Sequence, residues 1–172
     1  MKKHTLLAAL ALVVATPFAL SAQAVTSSLK GLHDITKTNI MATAETLDEE
    51  LYAFRPTDEV RSMGELLAHI AGAQFSFCSA AAGQSSPSSE NFEETRTTKA
   101  GIVAALEEGF AYCEGVYGAM TDQDGTRSVT FFGGPNTAHG VLAFNSAHNY
   151  EHYGNLVTYM RINGIVPPSS SQ

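Results

Sequence analysis

Two of the chain's six histidines have a spacing that invites chemistry. His148 and His152 stand four residues apart in a stretch with helical periodicity, so both imidazoles project from one face. At that spacing two ring nitrogens reach a single divalent cation through bonds of about 2.0–2.1 Å. At ~100° per residue, Val141, Asn145, His148, His152, Asn155 and Tyr159 fall in one stripe. Leu142, Leu156 and Met160 border it on one side, Phe144 and Ile162 on the other. A polar stripe within an apolar face inverts the usual surface helix. Burying each imidazole or amide without a partner costs about 1–3 kcal/mol. A metal that takes a lone pair from each imidazole removes that cost. An isolated His-x-x-x-His is more commonly a pair of hydrogen-bonded core histidines, so the metal reading needs a third ligand.

His69 supplies it. Gly72, Ala73, Ser76 and Ala80 share its side of a second helix and leave room for a partner helix and a cavity, while Leu66, Ile70 and Phe77 flank it. Three histidines with an open position make the catalytic rather than the structural zinc arrangement. Asn145 and Asn155 are candidates to orient a ligand ring or a substrate around that set. Tyr153 and Tyr159 are candidate proton donors, against the commoner role of tyrosine as core. His139, nine residues before His148, points the opposite way and reads as a helix-start or surface residue. His33 reads as exposed or half-buried. No catalytic residue beyond the ligands is assigned. Cys78 and Cys113 lack a basic neighbour that would make a thiolate. Gly133-Gly134-Pro135 is a turn, with no lysine of a phosphate loop after it. Glu107-Glu108 reads as a solvated face.

Four helices must position these residues. The first runs from about Ser28 to Leu51, paced by Leu29, Leu32, Ile35 and Ile40 and closed by Pro56. The second opens on the capping box Ser62-Met63-Gly64-Glu65 and runs to about Ala82, before a loop with Gly83, Pro87 and several serines. The third begins at Thr97 or Thr98 and ends near Met120, with Ile102, Leu106, Phe110, Cys113 and Tyr117 on one face. A loop from Thr121 to Asn136 follows, in which Val129 to Phe132 suits a short extended piece. The fourth helix spans about Thr137 to Asn163, stopped by Gly164 and Pro167. This is an all-α four-helix bundle. Its long connections allow crossovers, with the second and third helices parallel. Cys78 and Cys113 then stand at equal heights and form a candidate disulfide. By helical count, however, Cys78 lies opposite His69, and two separate buried thiols are the alternative.

At the N-terminus, Lys2 and Lys3 precede the apolar run Leu6 to Val14, and Ala22-Gln23-Ala24 offers small residues to a signal peptidase. The apolar run falls short of the roughly 20 residues a bilayer span needs. Residues 1–24 therefore read as a signal peptide, 25–166 as the bundle domain and 167–172 as a disordered tail. The mature protein is expected to be periplasmic or secreted, without a membrane span. An even pair of cysteines suits an oxidising compartment. The formal net charge is −7, and loss of two lysines with the signal makes it more negative. Such a surface repels phosphate backbones, which excludes a nucleic-acid partner.

Two segments resemble a known family. Phe54-Arg55-Pro56-Thr57, Val60-Arg61-Ser62 and Glu65-Leu66-Leu67-Ala68-His69-Ile70 resemble the second-helix entry of the DinB-like family, the damage-inducible helical bundles. His148 to His152, followed by Tyr153-Gly154-Asn155, resembles its fourth-helix motif, although family members often carry Gln where this chain has Asn155. The resemblance implies a bundle of up-down-down-up order and a divalent metal, often zinc or nickel, on the three matching histidines. It also implies thiol-dependent S-transferases or a thiol-dependent isomerase as relatives, and frequent homodimers. Those low-molecular-weight thiols are cytosolic, so export weakens the transferase reading and leaves the metal site untouched. The expectation is an exported metal-dependent transferase or hydrolase acting on a small molecule of unknown identity. Its rivals are a non-catalytic metal- or ligand-binding module of the cell envelope, and a metal-free bundle used for protein contacts.

Overall fold

The computed structural model describes residues 23–171; all but the last two residues of the expected signal peptide, 1–24, lie outside the described residues. Helix α1 spans Ala24–Thr46 and a 3₁₀ turn spans Glu49–Ala53. The spacing of apolar residues predicts one helix over Ser28–Leu51 instead. The helix starts earlier because the Asp122 carboxylate accepts the Val25 and Thr26 N–H groups at 3.1 and 2.8 Å, a cap supplied from far along the chain. It breaks earlier because Leu47 turns to extended backbone and enters the core, fully buried.

Helix α2 is Met63–Ala82, opened by both halves of its capping box. The Glu65 N–H donates to Ser62 Oγ at 3.2 Å, and the Ser62 N–H donates to Glu65 Oε2 at 2.8 Å. A short helix α3, Phe92–Thr95, interrupts the linker to α4, Lys99–Ala119. The next connection folds into α5, Asp122–Gly125, and a hairpin of β1, Ser128–Phe131, and β2, Gly134–Thr137. Helix α6 is Ala138–Ile162, with Thr137 Oγ1 accepting the Gly140 N–H. The tail, expected to be disordered, carries a 3₁₀ turn at Pro168–Ser170, and the Ser169 N–H donates to Tyr153 Oη at 3.1 Å.

Contacts fix the directions. Thr26 meets His139 and Thr36 meets Asn149, so α1 and α6 run parallel. His69 meets His148 and Gln74 meets Asn145, so α2 opposes α6. Helix α4 runs parallel to α2. Gly109 sits where an added Cβ would lie 2.8 Å from the Ala71 carbonyl oxygen, and further along a disulfide joins Cys78 to Cys113 with Cα atoms 5.3 Å apart. The order is up-down-down-up. Among the described residues no helix is long and apolar enough to cross a membrane.

The centre of the bundle is polar. Gln74 Oε1 accepts from Asn145 Nδ2 at 3.0 Å and lies 3.2 Å from His33 Nε2. Gln74 Nε2 donates to Asn149 Oδ1 at 2.8 Å, and Asn149 Nδ2 donates to Thr36 Oγ1 at 3.2 Å. All five side chains are fully buried. His33, expected at or near the surface, is therefore interior, and burial holds its pKa below the ordinary histidine value. Helix α1 follows its apolar pacing only in part: Ile40 is buried and Leu29 packs against the core, but Leu32 and Ile35 are exposed, while Thr26, His33, Thr36, Asn39 and Thr43 are buried.

Candidate metal centre

Helix α6 is rotated slightly from the face that its polar stripe predicts. Its buried side carries Leu142, Asn145, Asn149, Tyr153, Leu156 and Met160, whereas Asn155 and Ile162 are exposed. The two histidines therefore sit at the edge of the buried face, His148 half-buried and His152 buried. Across from them stands His69 on α2, half-buried.

The three rings converge through their Nε2 atoms. His148 Nε2 lies 3.1 Å from His69 Nε2 and 3.0 Å from His152 Nε2. The ligand atoms of all three lie within 4.8 Å of one another. Three nitrogens bound tetrahedrally to one zinc-sized ion at about 2.0–2.1 Å stand about 3.3–3.4 Å apart, close to the two separations observed.

Glu93, on α3, fixes one ring. His69 Nδ1 donates to Glu93 Oε1 at 2.7 Å, and Glu93 takes Arg61 Nε at 2.8 Å. Burial opposes ionisation of Glu93, but Arg61 and His69 outweigh it and hold the carboxyl below its ordinary value. The tautomer this imposes leaves a lone pair on His69 Nε2, as metal-ligating histidines require. With Nε2 of His69 unprotonated, no set of neutral tautomers serves both remaining contacts. His148 Nε2 carries a proton or a lone pair, and either satisfies only one neighbour. A cation receiving all three lone pairs resolves the conflict. Protonating His148 or His152 is disfavoured: burial, then the neighbouring His152 and His69, push His148 down to about 3, and burial lowers His152 as well. The Nδ1 atoms of His148 and His152 are buried without a protein partner, so these rings are aimed by their helix rather than by an acceptor. The residues present fit a divalent metal.

The second-sphere expectations fare differently. Asn145 donates to Gln74 and approaches the disulfide sulfurs at 3.4 and 3.5 Å; it belongs to the central network and makes no hydrogen bond to the three rings. Asn155 is exposed, in a cleft shared with His152 and Tyr159. Tyr153 Oη faces the C-terminal turn. His139 sits at the start of α6 with its Nε2 2.8 Å from Thr26 Oγ1. Glu93 and Arg61 are the partners that sequence reasoning missed. Glu93 lies in a serine-rich linker without periodicity, and only its charge marked it.

A cavity of about 530 Å³ opens beside His69 and His148, lined in part by Gly72, Ala73, Ser76, Phe77, Phe132 and Phe144. The small residues of α2 that promised room supply it. Another cavity, of about 570 Å³ beside Tyr112, Val116 and Arg127, shares no residue with the histidines.

Fold and site together define an all-α four-helix bundle with a three-histidine cluster between its second and last long helices. Residues 32–156 match the model of the DinB superfamily, and the chain belongs to that superfamily. Solved structures agree on the fold. A DinB-like protein from Bacillus cereus superposes with a TM-score of 0.72 at 19% identity, covering 83% of this chain and 95% of that one. A DinB-like protein from Bacillus subtilis gives 0.60 at 20% identity, covering 83% of this chain and 92% of its own. No curated protein matches the sequence.

Proposed function

We propose that this chain is an exported metal-dependent transferase or hydrolase that holds one divalent ion, zinc or nickel, on His69, His148 and His152. The observation that carries the reading is the meeting of three Nε2 atoms that no neutral tautomers satisfy, beside a cavity sized for a small molecule. Bound there, the metal would supply Lewis-acid activation of a water or a thiol. The protein's own contribution is orientation: Glu93 and Arg61 hold His69, and the helical spacing holds the other two. The small residues of α2 keep space for substrate. Two features support export: the signal-like N-terminal pattern, and the Cys78–Cys113 disulfide, which persists in oxidising compartments.

One observation favours the non-catalytic alternative, a metal- or ligand-binding module of the envelope. Both carboxylates lining the cavity are engaged, Glu90 by Arg96 and Glu93 by Arg61, so neither stands free as a base. A panel of thiol-transfer, ester and amide substrates separates the two readings. The enzyme reading expects turnover by zinc- or nickel-loaded protein that disappears in His148→Ala. Metal loading with no turnover across the panel would leave the binding module.

A further inference from the structure

Phe77, Phe132 and Phe144 all line the cavity beside His69 and His148. Phe77 packs edge-on against Phe144 at 5.4 Å, Phe132 at 6.0 Å and His148 at 5.0 Å, and Phe132 meets Phe144 at 5.6 Å between ring centroids. An aromatic wall thus runs from the hairpin tip to a candidate metal ligand. The cavity lining includes no lysine or arginine, and its two ionisable acids are Glu90 and Glu93. Each of these acids is paired with an arginine, Glu90 with Arg96 and Glu93 with Arg61, so the wall offers no free charge to hold a charged ring.

Phe132 is out of place by every ordinary measure. It is 76% exposed, so the core does not require it. It is also the one non-glycine among the described residues with positive φ, at 49°, followed by Gly133 at 78°. Phe131 pairs with Gly134, so Phe132 and Gly133 form a two-residue turn with both φ positive. Turns of that form favour Asn-Gly, because a short polar side chain tolerates the left-handed region and a bulky one is strained there. A strained, exposed aromatic beside a reactive cluster points to a ligand contact.

We propose that Phe132, on the hairpin tip, and Phe144, on α6, make this cavity a binding site for an uncharged aromatic group whose polar head reaches toward the histidine centre. The aromatic wall selects the group by edge-to-face and stacking contacts, which are specific to π-systems. Only the role of the head group rests on the metal reading given above.

The decisive variant is Phe132→Asn, which creates the preferred Asn-Gly turn. Fluorine NMR of para-fluorobenzyl alcohol with chelator-treated protein reads the aromatic site without metal. The zinc-reconstituted protein is compared for benzohydroxamate against acetohydroxamate. The proposal expects the alcohol to bind, and Phe132→Asn and Phe144→Ala each to weaken it roughly three- to tenfold. It expects the melting temperature of Phe132→Asn to stay level or rise, since strain is relieved. It also expects benzohydroxamate to outbind acetohydroxamate in the zinc form. Absence of alcohol binding, equal binding by the variants, or a lower melting temperature for Phe132→Asn would overturn it. Alcohol binding as expected with no zinc uptake would instead sink the metal reading and leave the aromatic site standing.

Discussion

The interior of this bundle holds two polar clusters, both built where α2 faces α6, and they solve the problem of burial in opposite ways. At the centre, Gln74 joins His33, Asn145, Asn149 and Thr36 across three helices, and both polar atoms of Gln74 and of Asn149 meet a complementary group, although Asn145 Oδ1 and His33 Nδ1 are left without a protein partner. At the rim, His69, His148 and His152 turn the same kind of atom toward one another. The central cluster finds most of its partners among the helices and ties their register together. The rim cluster could hold a metal ion, which would take all three lone pairs. Polar burial thus takes two forms, a network linking three helices and a histidine cluster that could hold a metal ion, and the difference lies in how far donors and acceptors find protein partners.

Substitutions should separate the two clusters. The largest expected effect is on metal affinity at the rim. His148→Ala or His152→Ala should lower affinity more than about 100-fold, beyond the 10- to 100-fold typical of outer-sphere changes, as read by competition with a chromophoric chelator. His139→Ala should leave it unchanged, because that ring faces Thr26. Next comes the centre. Gln74→Ala strands His33, Asn145 and Asn149 together and should cost roughly 2–4 kcal/mol of unfolding free energy while metal stoichiometry persists. Loss of metal with little loss of stability would mean that the centre, not the rim, governs the site.

Glu93→Gln should have an intermediate effect, weakening metal binding by about 10- to 100-fold with a small change in melting temperature. The amide keeps the shape but no longer imposes one tautomer on His69. A further effect concerns acid. In metal-free protein His148 sits near 3 and His152 below its ordinary value, whereas unfolded histidines titrate at about 6.5. The folded state then binds fewer protons, so stability falls as pH drops below about 6.5 and levels off near 3. Urea midpoints at two pH values, with chelator, should show that slope, and His148→Ala should flatten it.

Much of this was legible in the sequence. The capping box at Ser62 fixes where α2 begins and hence the height of His69, and i, i+4 spacing pairs His148 with His152. The central network was not legible, because the phase of α6 was centred on its histidines, whereas the helix buries Asn149 instead of Asn155. Helix α1 misled for a related reason. Leu32 and Ile35 look like a core stripe, yet α1 turns His33 and Thr36 inward to meet Gln74 and Asn149. Partners on other helices decide such faces, and no local period records them. Glu93 escaped because a four-residue helix has no periodicity to read.

The most direct test of the account is metal content. Untagged protein is reconstituted with zinc and with nickel, dialysed, and analysed for element and protein together, beside the triple variant His69→Ala/His148→Ala/His152→Ala. The account predicts about one equivalent of metal per chain in the wild type, none in the triple variant, and a melting temperature that chelator lowers only in the wild type. Wild-type protein that stays metal-free after reconstitution, or a triple variant that still holds an equivalent, would contradict it.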